Sequence, residues 1–144
     1  MDIQAHDLRK LHQDWESWRR GREFPARADF DPLDLRYMLG SLSLVDVLRD
    51  PLRFRIRLHA TNVVDRAGLD LTGKLIDEMP AERRKAAEAH YRQVLEQRAP
   101  LALRYQHHPI DERMWNCEVL VLPLSTDGTT IDMLMSAFVW NSQP

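Results

Sequence analysis

Arg53-Phe54-Arg55-Ile56-Arg57-Leu58-His59 is the stretch from which the fold can be read. Phe54, Ile56 and Leu58 alternate with Arg55, Arg57 and His59, the period-two pattern of a strand with one buried and one polar face. Upstream, Leu42 to Arg49 is a second β-rich run, and Asp50-Pro51 between the two supplies a turn. Downstream the period changes. Asn62-Val63-Val64-Asp65-Arg66-Ala67 reads as a short helical segment ended by Gly68. A loop follows, Gly68-Leu69-Asp70-Leu71-Thr72-Gly73, whose two glycines permit positive φ.

Further out, a long helix is expected from Pro80 to about Arg98. Ala87, Tyr91, Val94 and Leu95 form its inner stripe, and Arg84, Glu88 and Arg92 an outer ladder at four-residue spacing. Three strands should close the chain, roughly Leu101 to His107, Met114 to Leu124 and Thr129 to Trp140, with Asp127-Gly128 as a hairpin turn. The last strand is apolar on both faces and is placed centrally in the sheet. At the other end, Leu8, Leu11, Trp15 and Trp18 recur at spacings of three and four, so an amphipathic helix runs from about Ala5 to Arg20 and stops at Gly21. A polar loop leads to Asp31, which can cap a short helix from Pro32 to about Leu39. The order is that of an α+β domain with helices over one face of an antiparallel sheet. Residues 1–22 form the leading helix and 23–144 the body of a single domain.

Composition sets the outer bounds. The 144 residues are 44% hydrophobic and 29% charged, with a net charge of −2. That balance lacks the basic footprint of a nucleic-acid binder. No stretch is apolar for long enough to cross a membrane, and the polar start lacks a signal-peptide pattern, so a cytoplasmic protein is expected. The single cysteine, Cys117, excludes an internal disulfide and a cysteine-based zinc site.

With these pieces in order, the sequence resembles the PAS family, specifically a bacterial subgroup of small stand-alone PAS-like proteins. The resemblance rests on Trp15 and Trp18 leading into Arg20-Gly21-Arg22 and Pro25-Ala26-Arg27, then Asp31-Pro32. It continues through Phe54-Arg55-Ile56-Arg57-Leu58, Thr61, the Gly68 to Gly73 loop, and Val121-Leu122-Pro123-Leu124-Ser125 before Asp127-Gly128. Ala60 stands where the subgroup tends to carry glycine. The resemblance implies a five-stranded antiparallel sheet whose short helices and glycine loop enclose a small cavity. It also implies a small ligand there, or pairing with another PAS domain through the N-terminal helix. The inward stripes nominate Phe54, Ile56, Leu58, Val64, Tyr91, Trp115, Met133 and Met135 as cavity lining, or equally as a filled core.

Known PAS cofactors find little support. Flavin photochemistry needs a cysteine in the helical segment after the second strand, and Cys117 lies in a late strand, where a buried structural role suits it better. Haem needs an axial histidine, but His59 alternates onto the polar strand face and His90 is one residue off the inner stripe. His107 and His108, with Asp111 nearby, point to opposite faces of a strand and cannot readily chelate one ion. Arg53, Arg55, Arg57 and Arg104 suggest either an anion-binding surface or a solvated face paired with carboxylates.

The leading expectation is a sensory or regulatory module that binds a small ligand or a signalling protein partner and forms a homodimer. No kinase, cyclase or DNA-binding segment accompanies it, so output is expected through a partner or a dimer rearrangement. Leu8, Leu11, Trp15 and Trp18 either pack on their own sheet or form the dimer seam. A competing reading is a small cone-shaped α+β enzyme using Asp46 or Asp132 as a buried base with Tyr105 or Tyr91. A third is a ligand-free adaptor.

Overall fold

Alternation and turn chemistry produce five strands, and their pairing fixes which side chains share a face. A computed structural model describes residues 2–67, 70–107 and 115–142. The strands are β1 (Leu42–Leu48), β2 (Arg53–His59), β3 (Leu101–His107), β4 (Trp115–Leu124) and β5 (Met133–Ser142). They form one antiparallel sheet in the order β2-β1-β5-β4-β3. The doubly apolar β5 is the central strand, as its sequence predicts. Three α-helices accompany the sheet: α1 (His6–Trp18), α2 (Thr61–Ala67) and α3 (Ala81–Gln97).

The segment expected as one helix from Pro32 to Leu39 is instead two 3₁₀ turns, Pro32–Leu35 and Leu39–Ser41. Asp31 does cap the first, its carboxylate accepting from the Leu33 N–H at 2.9 Å. Helix α1 is followed by Gly21 at φ +82°, the left-handed geometry that stops it. Asp127 organises the final turn by accepting from the Thr129 and Thr130 N–H groups, at 2.8 and 2.7 Å.

Both faces of the sheet are covered. Helix α1 crosses β4 and β5 on one face, here called outer. Leu8 and Leu11 are 0% exposed and Trp15 is 2% exposed, and the Trp15 Nε1–H donates to the Pro123 carbonyl at 2.9 Å. Full burial of each leucine contributes about 1.5–3 kcal/mol. Trp18 stacks on Phe30 with ring centroids 4.6 Å apart. The stripe therefore covers its own sheet, which withdraws Leu8, Leu11 and Trp15 from the surface. Helix α3 lies on the opposite, inner face, where Tyr91 meets Phe54 of β2 at 5.2 Å.

One irregularity redirects side chains. Val45 pairs with Ile56, but its neighbour Leu44 pairs with Leu58, so Arg57 is an extra residue in β2. This is a β-bulge, which shifts the alternation by one position. Before it, Phe54 and Ile56 face inward. After it, His59 takes the inward position opposite Ser43, and Leu58 turns outward with Leu44.

Candidate functional site

The inner face is built by the alternation of all five strands. Val45 and Val47 of β1, Phe54 and Ile56 of β2, Val119 and Val121 of β4 and Leu134 of β5 form an apolar floor, all buried. Tyr91 closes over it from α3, and burial pushes its phenol up to about 12. The Ser136 hydroxyl lies beside that phenol, near enough to moderate the push but outside hydrogen-bond geometry.

Polar side chains interrupt this floor. Ser43 and Ser136 are 1% and 2% exposed, and no described group hydrogen-bonds either hydroxyl. The His59 Nδ1 is likewise buried without a described partner. Burial lowers the His59 pKa, opposed by the Asp70 carboxylate nearby, so the ring is held toward its neutral form. The His59 backbone N–H donates to Thr72 Oγ1 at 3.3 Å, and Thr72 N–H to Asp70 at 3.0 Å. At the far end of the sheet Tyr105 pairs with Cys117, whose thiol burial pushes up to about 12.

The nominated lining divides between the two faces. Phe54, Ile56 and Tyr91 do come together on the inner face, and Val64 is half-buried in α2. Met133 and Met135 do not join them. They pair with Asp46 and Leu44 and share the outer face with α1, because inner positions of β5 carry even numbers. Leu58 is also outward and 42% exposed, displaced by the bulge. The Trp115 side chain, the His107 side chain, His108 and Asp111 lie outside what is described. His59, expected on the polar face, is turned inward by the same bulge.

The inner serines escaped the analysis, though each leaves a signal: a lone hydroxyl in an apolar run, Leu42-Ser43-Leu44-Val45 and Leu134-Met135-Ser136-Ala137. The inward turn of His59 leaves none, since a bulge does not disturb the local alternation. His90 on α3 is half-buried, and burial lowers its pKa.

The outer face holds the ion pairs. Asp46 is 7% exposed and accepts from Arg57 Nε at 2.9 Å and from Arg55 at 3.2 Å. It sits across the sheet from Tyr91 and Tyr105, so no acid–base pair forms between them. Asp132 accepts from the Thr126 N–H at 2.9 Å, a turn contact. Arg104 reaches Asp2 at 3.0 Å and Glu118 at 3.6 Å. Arg55, Arg57 and Arg104 are thus paired with carboxylates.

The family model described as "PAS domain" matches residues 3–138. The chain belongs to the PAS domain family. Among solved structures, this PAS domain resembles VqmA of Vibrio cholera in a ligand–DNA complex, at 16% identity and a TM-score of 0.60 over 76% of this chain and 49% of that one. A light-oxygen-voltage domain with a flavin analogue matches at 15% identity and 0.56, over 81% of this chain and 89% of that one. The Rhodobacter sphaeroides LOV protein matches at 12% and 0.52, over 97% and 68%. The chain spans 61% of the first listed structure and about half of the VqmA complex chain. No curated protein matches the sequence.

The residues present do not fit cysteinyl-flavin chemistry. Helix α2 of this PAS domain carries no cysteine, and burial disfavours the reactive thiolate of Cys117. Among the described residues no cluster of three His, Cys, Asp or Glu could hold a metal, and no helix is long and apolar enough to cross a membrane.

Proposed function

We propose that this PAS domain is a sensory module that holds a small molecule against the inner face of its sheet and relays occupancy through contacts with a partner or a second copy. The observation that supports it most is the set of buried polar side chains, Ser43, Ser136 and His59, within an otherwise apolar lining. A hydroxyl buried without a partner costs about 1–3 kcal/mol, so a face serving only as core would hold apolar residues there. The VqmA neighbour is described with a ligand, which is consistent with a ligand-holding use of this fold. The outer face is occupied by α1, which leaves the sheet edges and the α2–α3 side as the surfaces that occupancy would alter.

The test is intact mass under native and then denaturing conditions, with an absorption spectrum. A mass lost on denaturation supports the reading. Protein mass alone, together with no thermal stabilisation by any compound of a small-metabolite set, favours the ligand-free adaptor.

A further inference from the structure

The buried polar side chains of the inner face form a row. Antiparallel pairing sets Ser136 of β5 opposite Ser43 of β1, and Ser43 opposite His59 of β2. Directly opposed residues are roughly 4.5–5.5 Å apart at Cα and share a face, so the three stand side by side across adjacent strands. Tyr91 extends the row from α3 beside Ser136. Ser43 and Ser136 are almost wholly buried, and their hydroxyls and His59 Nδ1 have no hydrogen-bond partner among the described residues. Native interiors leave few such groups, and three adjacent ones on one face concentrate a penalty that alanine at either serine would remove. The β2 bulge that turns His59 into the row belongs to a class of distortions that re-aim side chains beside functional sites.

We propose that Ser136, Ser43 and His59 are the anchor of a binding site for a small uncharged molecule bearing both a hydrogen-bond donor and an acceptor, such as an amide or a hydroxy-carbonyl compound. This rests on the ligand-holding reading above and adds the place and the chemical class. Hydroxyls both donate and accept, and a neutral imidazole presents one of each. The row holds no ionised side chain. The carboxylate nearest His59, Asp70, is exposed and already accepts from Thr72. An ionised ligand would therefore be buried without a counter-ion, at a cost hydrogen bonds alone do not offset.

Entry is by way of α2, which follows His59 directly and packs on the Leu39–Ser41 turn. It has seven residues, and an exposed Asn62-to-Ser41 hydrogen bond of 3.2 Å ties it to that turn. A helix this short has little stability of its own, so it can shift without unfolding the sheet.

The experiment titrates the ¹⁵N-labelled full chain separately with acetamide, acetate and methylammonium. It follows the amides of Ser43, His59 and Ser136 and the His59 ring nitrogens. Acetamide is expected to shift these signals saturably, and the two ions are not. Replacing both serines (Ser43→Ala with Ser136→Ala) should weaken acetamide roughly ten- to hundredfold, from two lost hydrogen bonds. Removing unsatisfied hydroxyls should not unfold the protein, and the parent titration stands independently of the variant. Saturable shifts confined to Phe54, Ile56 and Tyr91, with the row unmoved, would overturn this site while the ligand-holding reading survives. Tighter binding of either ion overturns the ligand class, and undiminished acetamide binding by the double variant overturns the anchor. If no probe shifts any inner-face signal saturably, both readings fall.

Discussion

Glu118→Ala should loosen the N-terminal helix from the sheet. Ala5, which precedes α1, has no side-chain oxygen to cap it. The Glu118 carboxylate, 113 and 114 residues away, accepts instead from the Ala5 and Gln4 N–H groups, both at 2.7 Å. It thereby places a negative charge at the positive end of the helix. Hydrogen bonds to a charged acceptor are worth about 1.5–3 kcal/mol each, so two give an upper bound near 6 kcal/mol. Gln4 is exposed and Ala5 half-buried, so water replaces much of what is lost, and the buried carboxylate's own desolvation disappears with it. A net loss of about 2–3 kcal/mol follows, equivalent to roughly 5–10 °C in melting temperature for a chain of this size. Glu118→Gln, which keeps one acceptor, should fall between the parent and alanine. Urea and thermal unfolding measure both. A Glu118→Ala protein within about 0.5 kcal/mol of the parent, the range of ordinary surface substitutions, would refute the idea that this carboxylate anchors α1.

Trp15→Phe keeps most of the buried ring but loses the bond to Pro123, and should cost about 1–2 kcal/mol in urea unfolding. Cys117 should react with a thiol reagent far more slowly in the native protein than in urea, because burial holds its pKa up to about 12. Asp127 is held down at about 2 by the Thr130 and Thr129 N–H groups and Ser125. Its contribution is present above the unfolded value near 3.8 and disappears as pH falls through about 2. Comparing Asp127→Ala with the parent across that window should show the difference between them shrink toward acid. His59 has the opposite linkage. Its folded pKa lies below the model value of 6.5, so the unfolded chain binds the proton more readily and stability rises with pH through that region. Two-dimensional NMR of the ring should find it titrating below the usual histidine range.

The architecture was legible because its signals are local. Alternation in Arg53 to Leu58, the glycine stops and the doubly apolar final strand each report on a few neighbouring residues, and each matches an observed element or position. The face assignments failed where the cause lay elsewhere in the chain. Whether Met133 or Leu134 points inward depends on the register of β5 against β1, some ninety residues upstream. Leu58 and His59 exchange faces because β2 holds one more residue than β1 can oppose, a mismatch between two strands that neither sequence displays alone. The tethering of α1 by Glu118 is equally hidden: a glutamate inside an apolar strand reads as an anomaly until the helix end it serves is folded against it.

The central position of β5 also constrains the order of assembly. β1 and β2 can zip as a local hairpin, as can β3 and β4, but the two halves meet only through β5, the last strand to leave the ribosome. Until then both hairpins present an open edge where β5 will insert, and such edges invite pairing with other chains. Joining β1 to β5 closes a loop of nearly the whole sheet region, so the sheet should form late and slowly, with the C-terminal strand as its keystone.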